Sequence, residues 1–166
     1  TAAGTEDPVI ASLVAFTVVA LGGVGCVGAG LLADRVGRTT LTIGAMALSG
    51  SAAIVTALTF GADPLLTTAV AIIWGVTVVA DSAQFSAAVT ELTPPGTAGS
   101  ALTLQTAAGF TLTGVTILLV GSLGALGGDA WRIAFASLAL GPAVGIVAMW
   151  RLRRRPESLR MAGGHR

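Results

Sequence analysis

The chain has 166 residues, of which 54% are hydrophobic and only 10% charged, with a mean hydropathy of +0.87 and a formal net charge of +1. Soluble domains carry about a quarter charged residues, and a monomer this poor in charge would expose more apolar surface to water than such proteins tolerate. A water-soluble globule and a disordered chain are thereby excluded, and the near-zero charge with no lysine argues against a nucleic-acid partner.

The charges are unevenly placed, and the gaps between them define the elements in chain order. Residues 8–33 follow an acidic stub containing Glu6 and Asp7 and carry no charge; residues 39–62 are likewise uncharged. Residues 64–90 are broken only by Asp81, residues 92–128 open on a loop with Pro94, Pro95, Gly96 and Gly99, and residues 133–150 close the series. A helix rising ~1.5 Å per residue crosses a ~30 Å hydrocarbon core in about 20 apolar residues. The expected fold class is therefore all-α, a polytopic membrane protein with spans at about 8–33, 39–61, 64–91, 98–122 and 131–151. A transmembrane barrel would show dyad alternation over strands of ~10 residues, and none is present. The first span has an acidic flank and exceeds the apolar core of a signal peptide.

Small residues are expected to pack these helices, since helices in lipid associate by close backbone approach. Gly22, Gly23, Gly25, Gly28 and Gly30 end the first span, and Gly141 and Gly145 form a GxxxG in the last. Pro142 is expected to kink that last span. Span two, with Ser49, Ser51, Thr56 and Thr59 as its notable polar groups, reads as lipid-facing.

Orientation follows from arginine. Arg35 and Arg38 lie between spans one and two, and Arg151, Arg153, Arg154, Arg155, Arg160 and Arg166 follow span five. Arg132 stands on the other side, beside Asp129 and together with Glu6, Asp7 and Asp63. The positive-inside rule then predicts an external N-terminus and a basic cytoplasmic tail over residues 152–166, in the cytoplasmic (plasma or inner) membrane. Trp131 and Trp150, at the two ends of span five, suit the headgroup zone.

Little in the chain offers chemistry of bond making. Cys26 is the single cysteine, in mid-span, and the single histidine, His165, lies in the tail. With no nucleophile–base pair and no metal-ligand cluster, no catalytic residue, metal or cofactor is expected, and the chain does not read as an enzyme.

Asp81 is the exception to an otherwise charge-free interior. A carboxylate at that depth costs at least ~2.5–3.5 kcal/mol, so it must face protein or water. Trp74, Thr77, Asp81, Gln84 and Ala88 recur at helical spacing on one face, opposite Ile72, Gly75, Val76, Val79 and Ala83. That stripe reads equally as the wall of a substrate cavity and as interhelical hydrogen-bonding glue. Span four carries Thr106, Gly109, Thr113 and Thr116 on one face with Gln105 nearby; its threonines are expected to bond their own helix, leaving Gln105 and Thr106 as cavity candidates.

Between spans one and two, Gly30-Leu31-Leu32-Ala33-Asp34-Arg35-Val36-Gly37-Arg38-Thr39 predicts a tight link of about five residues, with Gly37 free to take a positive φ. An acid and two bases there can hold the link against neighbouring helix ends. The string resembles the loop signature of the major facilitator superfamily at Gly30, Leu32, Ala33, Asp34, Arg35, Gly37 and Arg38, with Thr39 in place of a second base. Glu91-Leu92-Thr93-Pro94-Pro95 and Gly99-Ser100-Ala101-Leu102 are similar to a later cytoplasmic link in the same family.

The resemblance implies secondary transport of a small solute by alternating access, with the five spans standing as helices eight to twelve of a twelve-helix transporter. It implies that Glu91 pairs with Arg35 or Arg38, that Asp34 faces another helix end, and that this cluster latches one conformation. It also tips the stripe toward a substrate and proton pathway containing Asp81, Gln84, Trp74, Thr77, Gln105 and Thr106, with H+ as coupling partner. Because the chain begins at Thr1 and the signature follows the first span, the expectation is a partial sequence lacking an N-terminal half. The alternatives are a transporter-derived membrane scaffold or regulatory module, and a non-functional truncated product.

Overall fold

The structure, a computed structural model, describes residues 8–61 and 64–165. Six α-helices follow in order: α1 Pro8–Val36, α2 Arg38–Thr59, α3 Pro64–Leu92, α4 Ala98–Gly124, α5 Ala130–Ser137 and α6 Leu140–Arg153. Two short 3-10 turns, Pro156–Arg160 and Ala162–Gly164, complete the chain, and no strand occurs among the described residues. Five segments are long and apolar enough to cross a membrane, the fifth made jointly by α5 and α6. The protein is thus an all-helical, multi-pass membrane protein.

The helix boundaries have local causes. Proline at the first position of α3 lacks only an N–H that would be unbonded anyway. Pro94 and Pro95 stop α3 two residues after its last helical residue, Leu92. The fifth span breaks at Leu138 and Ala139 rather than at Pro142 itself. Pro142 offers no N–H to the Leu138 carbonyl and its ring crowds that same carbonyl. Leu138 and Ala139 instead donate to Phe135 and Ala136, each at 3.1 Å, in a tighter i to i−3 pattern.

The link between α1 and α2 is tighter than the expected five residues. It is Gly37 alone, at φ 93, and Asp34 and Arg35 belong to the last turn of α1. Only glycine takes that φ without a clash of its Cβ. The two helices therefore meet at a single residue.

Packing between α1 and α3 is carried by glycine on both sides. A Cβ on Gly22 would come within 2.5 Å of Val79 Cγ2, one on Gly25 within 2.7 Å of Val76 Cγ1, and one on Gly75 would overlap Val18. Gly23, Gly28 and Gly30 meet no neighbour within 4 Å, so two of the five glycines of α1 make this contact, not all of them. In the last span Gly145 packs on Met46 while Gly141 is open. Cys26 spans the same α1–α3 seam, its thiol donating to the Val79 carbonyl at 3.1 Å.

The expectation for span two is overturned. α2 is the most enclosed helix, packed against α1, α3, α5 and α6, with Thr39, Thr42, Met46, Ser49, Ala52, Ala53 and Ala57 buried. Those residues repeat at three and four, giving one small-residue stripe that lets several helices approach. Ser51, Thr56 and Thr59 lie off the stripe and bond carbonyls of their own helix. α4 lies at the periphery, exposing Leu104, Phe110, Leu112 and Leu118.

The bundle has two distinct ends. One gathers the Gly37 link, the link between α3 and α4, and the residues after α6, along with Arg35, Arg38, Arg151, Arg153, Arg154, Arg155 and Arg160. The other carries Arg132, which pairs with Asp129 at 3.4 Å and donates to the Phe60 carbonyl. There Phe60, Trp131 and Phe135 form an aromatic cluster with centroids 5.7–6.2 Å apart. Trp150 is exposed near the arginine-rich end, under the Arg154 guanidinium at 3.4 Å. Glu6, Asp7, Asp63 and Arg166 lie outside the described residues.

Candidate functional site

The arginine-rich end holds a compact polar cluster. Arg38 is the first residue of α2, directly after the Gly37 turn, and is only 7% exposed. Gln84 and Glu91 are seven residues apart on α3, two turns along one face, and both reach it. Arg38 Nε and Nη2 donate to the two Glu91 carboxylate oxygens at 2.9 and 2.6 Å, and Nη1 donates to Gln84 Oε1 at 2.7 Å. The fork is bidentate, the geometry that makes a guanidinium–carboxylate pair both strong and directional.

The helix ends make this pair poised rather than merely tight. Arg38 sits at the positive N-terminal pole of α2 and Glu91 at the negative C-terminal pole of α3. Each charge is disfavoured by its own helix, by roughly 0.3–1 kcal/mol, and each offsets the other. Removing either partner from such an enclosed pair is far more costly than the pair's net contribution.

Of the two arginines that could have met Glu91, Arg38 does so; Arg35 is exposed and makes no ion pair among the described residues. Asp34, in the last turn of α1, lies against Arg38, the first residue of α2. Its side chain is 67% exposed and lies 3.6 Å from Arg38 across the Gly37 turn, where solvent weakens the attraction. Gly30 has open space around it on α1.

The polar stripe of α3 is divided by its neighbours. Trp74 and Asp81 line a groove of about 330 Å3 with Phe85, Met46, Ser49 and Gly145 of α6. Gln84 is not in that groove with Asp81: it is 2% exposed and turned to Arg38. Thr77 is also withdrawn, its hydroxyl donating to the carbonyls of Ile73 and Trp74 in its own helix. The opposite face of α3 is covered by α1 through Gly75, Val76 and Val79.

Gln105 and Thr106 line a second groove, of about 430 Å3, between α3 and α4. Gln105 Nε2 donates to Ser86 Oγ at 3.4 Å, while its Oε1 is buried without a partner. Thr113 and Thr116 donate to their own helix at Gly109 and Leu112. Phe85 borders both grooves.

One participant had no expectation attached to it. The chain after α6 folds back, burying Ser158 and Met161 to 1% exposure, and the Ala162 N–H donates to Glu91 Oε2 at 3.2 Å. Residues 152–166 are thus not simply a basic tail: part of them caps the carboxylate that holds Arg38. A backbone donor leaves no side-chain signal, and the only hint in the sequence is the pair of apolar residues, Leu159 and Met161, among arginines.

Compared with known proteins, the chain matches no family model, no curated protein and no solved structure.

Proposed function

We propose that the protein is a secondary transporter of the major facilitator type, moving a small solute across the cytoplasmic membrane by alternating access. In this reading the five spans correspond to helices eight to twelve of such a transporter, working with the other half of the fold. The observation that carries it is the Arg38–Glu91–Gln84 cluster, which ties the α1–α2 turn to the end of α3. Alternating access needs contacts that hold one arrangement of helices and open in the other. An ion pair whose members each sit at the unfavourable pole of their own helix suits that task.

The gathering of seven described arginines at one end supports a cytoplasmic C-terminus. Asp81, alone in the membrane interior and beside Trp74 in a groove, is the proposed carrier of a coupling proton. Full-length protein in proteoliposomes, with an internal pH dye and a panel of solutes, tests both points. A solute-dependent proton flux in the wild type that disappears in Asp81→Asn is expected. An equal flux in the two removes Asp81 from the pathway, and no flux with any solute counts against proton-coupled transport.

A further inference from the structure

We infer that residues 151–160 form a binding surface for anionic phospholipid headgroups, a property that goes beyond solute transport and does not depend on it. Arg151, Arg153, Arg154, Arg155 and Arg160 fall within this segment against one acid, Glu157, so the segment carries more positive charge than it can neutralise by itself. It begins where the fifth membrane-crossing segment, Ala130–Arg153, ends. The guanidinium groups are thereby delivered to the depth of the lipid headgroups. Trp150 marks that depth: its indole is exposed at the boundary, where such a ring is best accommodated, and the Arg154 guanidinium lies over it at 3.4 Å.

The chain after α6 is fastened to the bundle rather than trailing into water. Ser158 Oγ donates to the carbonyls of Arg153 and Arg155 at 3.2 and 2.7 Å, closing off the end of α6. The first 3-10 turn packs on α3 and α6 and the second on α1, with Ser158 and Met161 turned inward. The Ala162 N–H on Glu91 holds the chain just beyond. Arg151, Arg154, Arg155 and Arg160 stay exposed on this ordered backbone, and so does Leu159. Side chains presented from an ordered backbone lose less freedom on binding than those of a free tail. A guanidinium offers a phosphate two parallel N–H donors, and attraction to an anionic bilayer surface grows with each basic residue near it. Leu159 and the Trp150 ring favour a lipid over a soluble anion, because both can bury apolar surface at the boundary of headgroups and acyl chains.

Native mass spectrometry of the full-length protein, titrated with phosphatidylglycerol in a neutral detergent, tests this without any transport measurement. Saturable binding is expected, at least about fivefold tighter than that of phosphatidylcholine, whose headgroup carries no net charge. The combined variant Arg154→Gln, Arg155→Gln and Arg160→Gln should weaken phosphatidylglycerol binding at least about tenfold and leave phosphatidylcholine binding unchanged. Lysine at the same three positions keeps the charge and should keep the selectivity, while Leu159→Ser should weaken binding about two- to fivefold. Millimolar inorganic phosphate, or the chainless headgroup glycerophosphoglycerol, should fail to displace the lipid. Equal affinity for the two lipids, or equal phosphatidylglycerol binding by the wild type and the glutamine variant, overturns the inference. Displacement by either soluble anion also overturns it, since the arginines would then form a site for free phosphate. Lipid selectivity in a protein that transports no solute upholds the surface and counts against the transporter; transport without lipid selectivity does the reverse.

Discussion

At the scale of single residues, Arg38 carries the most interactions of any side chain in the site. Its guanidinium uses three N–H groups on Glu91 and Gln84 and lies beside Asp34. Glu91→Gln retains the shape but leaves that guanidinium enclosed and unneutralised, so we expect a loss of about 3 kcal/mol in detergent unfolding experiments. Arg38→Gln should cost a similar amount. The double variant should cost about 1–3 kcal/mol less than the two losses summed, because the second substitution removes a charge already stranded by the first. Additive losses would mean that the pair contributes nothing as a pair. The family resemblance implied that Glu91 meets Arg35 or Arg38, but that Gln84 shares the same arginine was not legible in the sequence. Helical periodicity places side chains on a face without saying which neighbour covers it.

At the scale of elements, the same limit separates the glycines of α1. Gly22 and Gly25 meet α3 closely, whereas Gly23, two residues before Gly25, points into open space. Gly75→Ala on α3 would drive a methyl group into Val18 and within 3.1 Å of its carbonyl oxygen, forcing α1 and α3 apart. We expect that change to cost about 1–3 kcal/mol. Gly23→Ala should be neutral or stabilising by up to about 1 kcal/mol, since alanine is the better helix former and nothing opposes it. Thermal unfolding of the two variants side by side checks the assignment, and equal losses would contradict the seam. The enclosure of α2 has a related cause that its few hydroxyls do not signal. Small size, rather than polarity, was the informative property, because Ala, Ser and Thr on one stripe are what allow four neighbours to close in.

At the scale of the whole molecule, the bundle has an arginine-rich end and an aromatic end, and the proposed orientation assigns them to the cytoplasm and the exterior. Single cysteines introduced in a Cys26→Ser background test that assignment. Serine keeps a donor for the Val79 carbonyl that the native thiol reaches. A bulky impermeant maleimide applied to intact cells should label Leu126→Cys, in the exposed link between α4 and α5, and should reach Arg155→Cys only after permeabilisation. The reverse pattern would invert the proposed topology.

The all-helical character, the number of membrane-crossing segments and the grouping of arginines between them follow from the sequence by itself. Hydrocarbon demands long runs without charge and full backbone hydrogen bonding within each run, and both requirements are local. What surrounds each polar group was decided only by the tertiary structure. It turned Gln84 away from Asp81 and toward Arg38, reduced the α1–α2 link to Gly37, buried α2, and brought the Ala162 N–H to Glu91. Those outcomes depend on how small side chains let particular helices approach, a property of pairs and triples of elements. A charge deficit identifies what crosses the membrane; close packing determines which of the remaining charges meet.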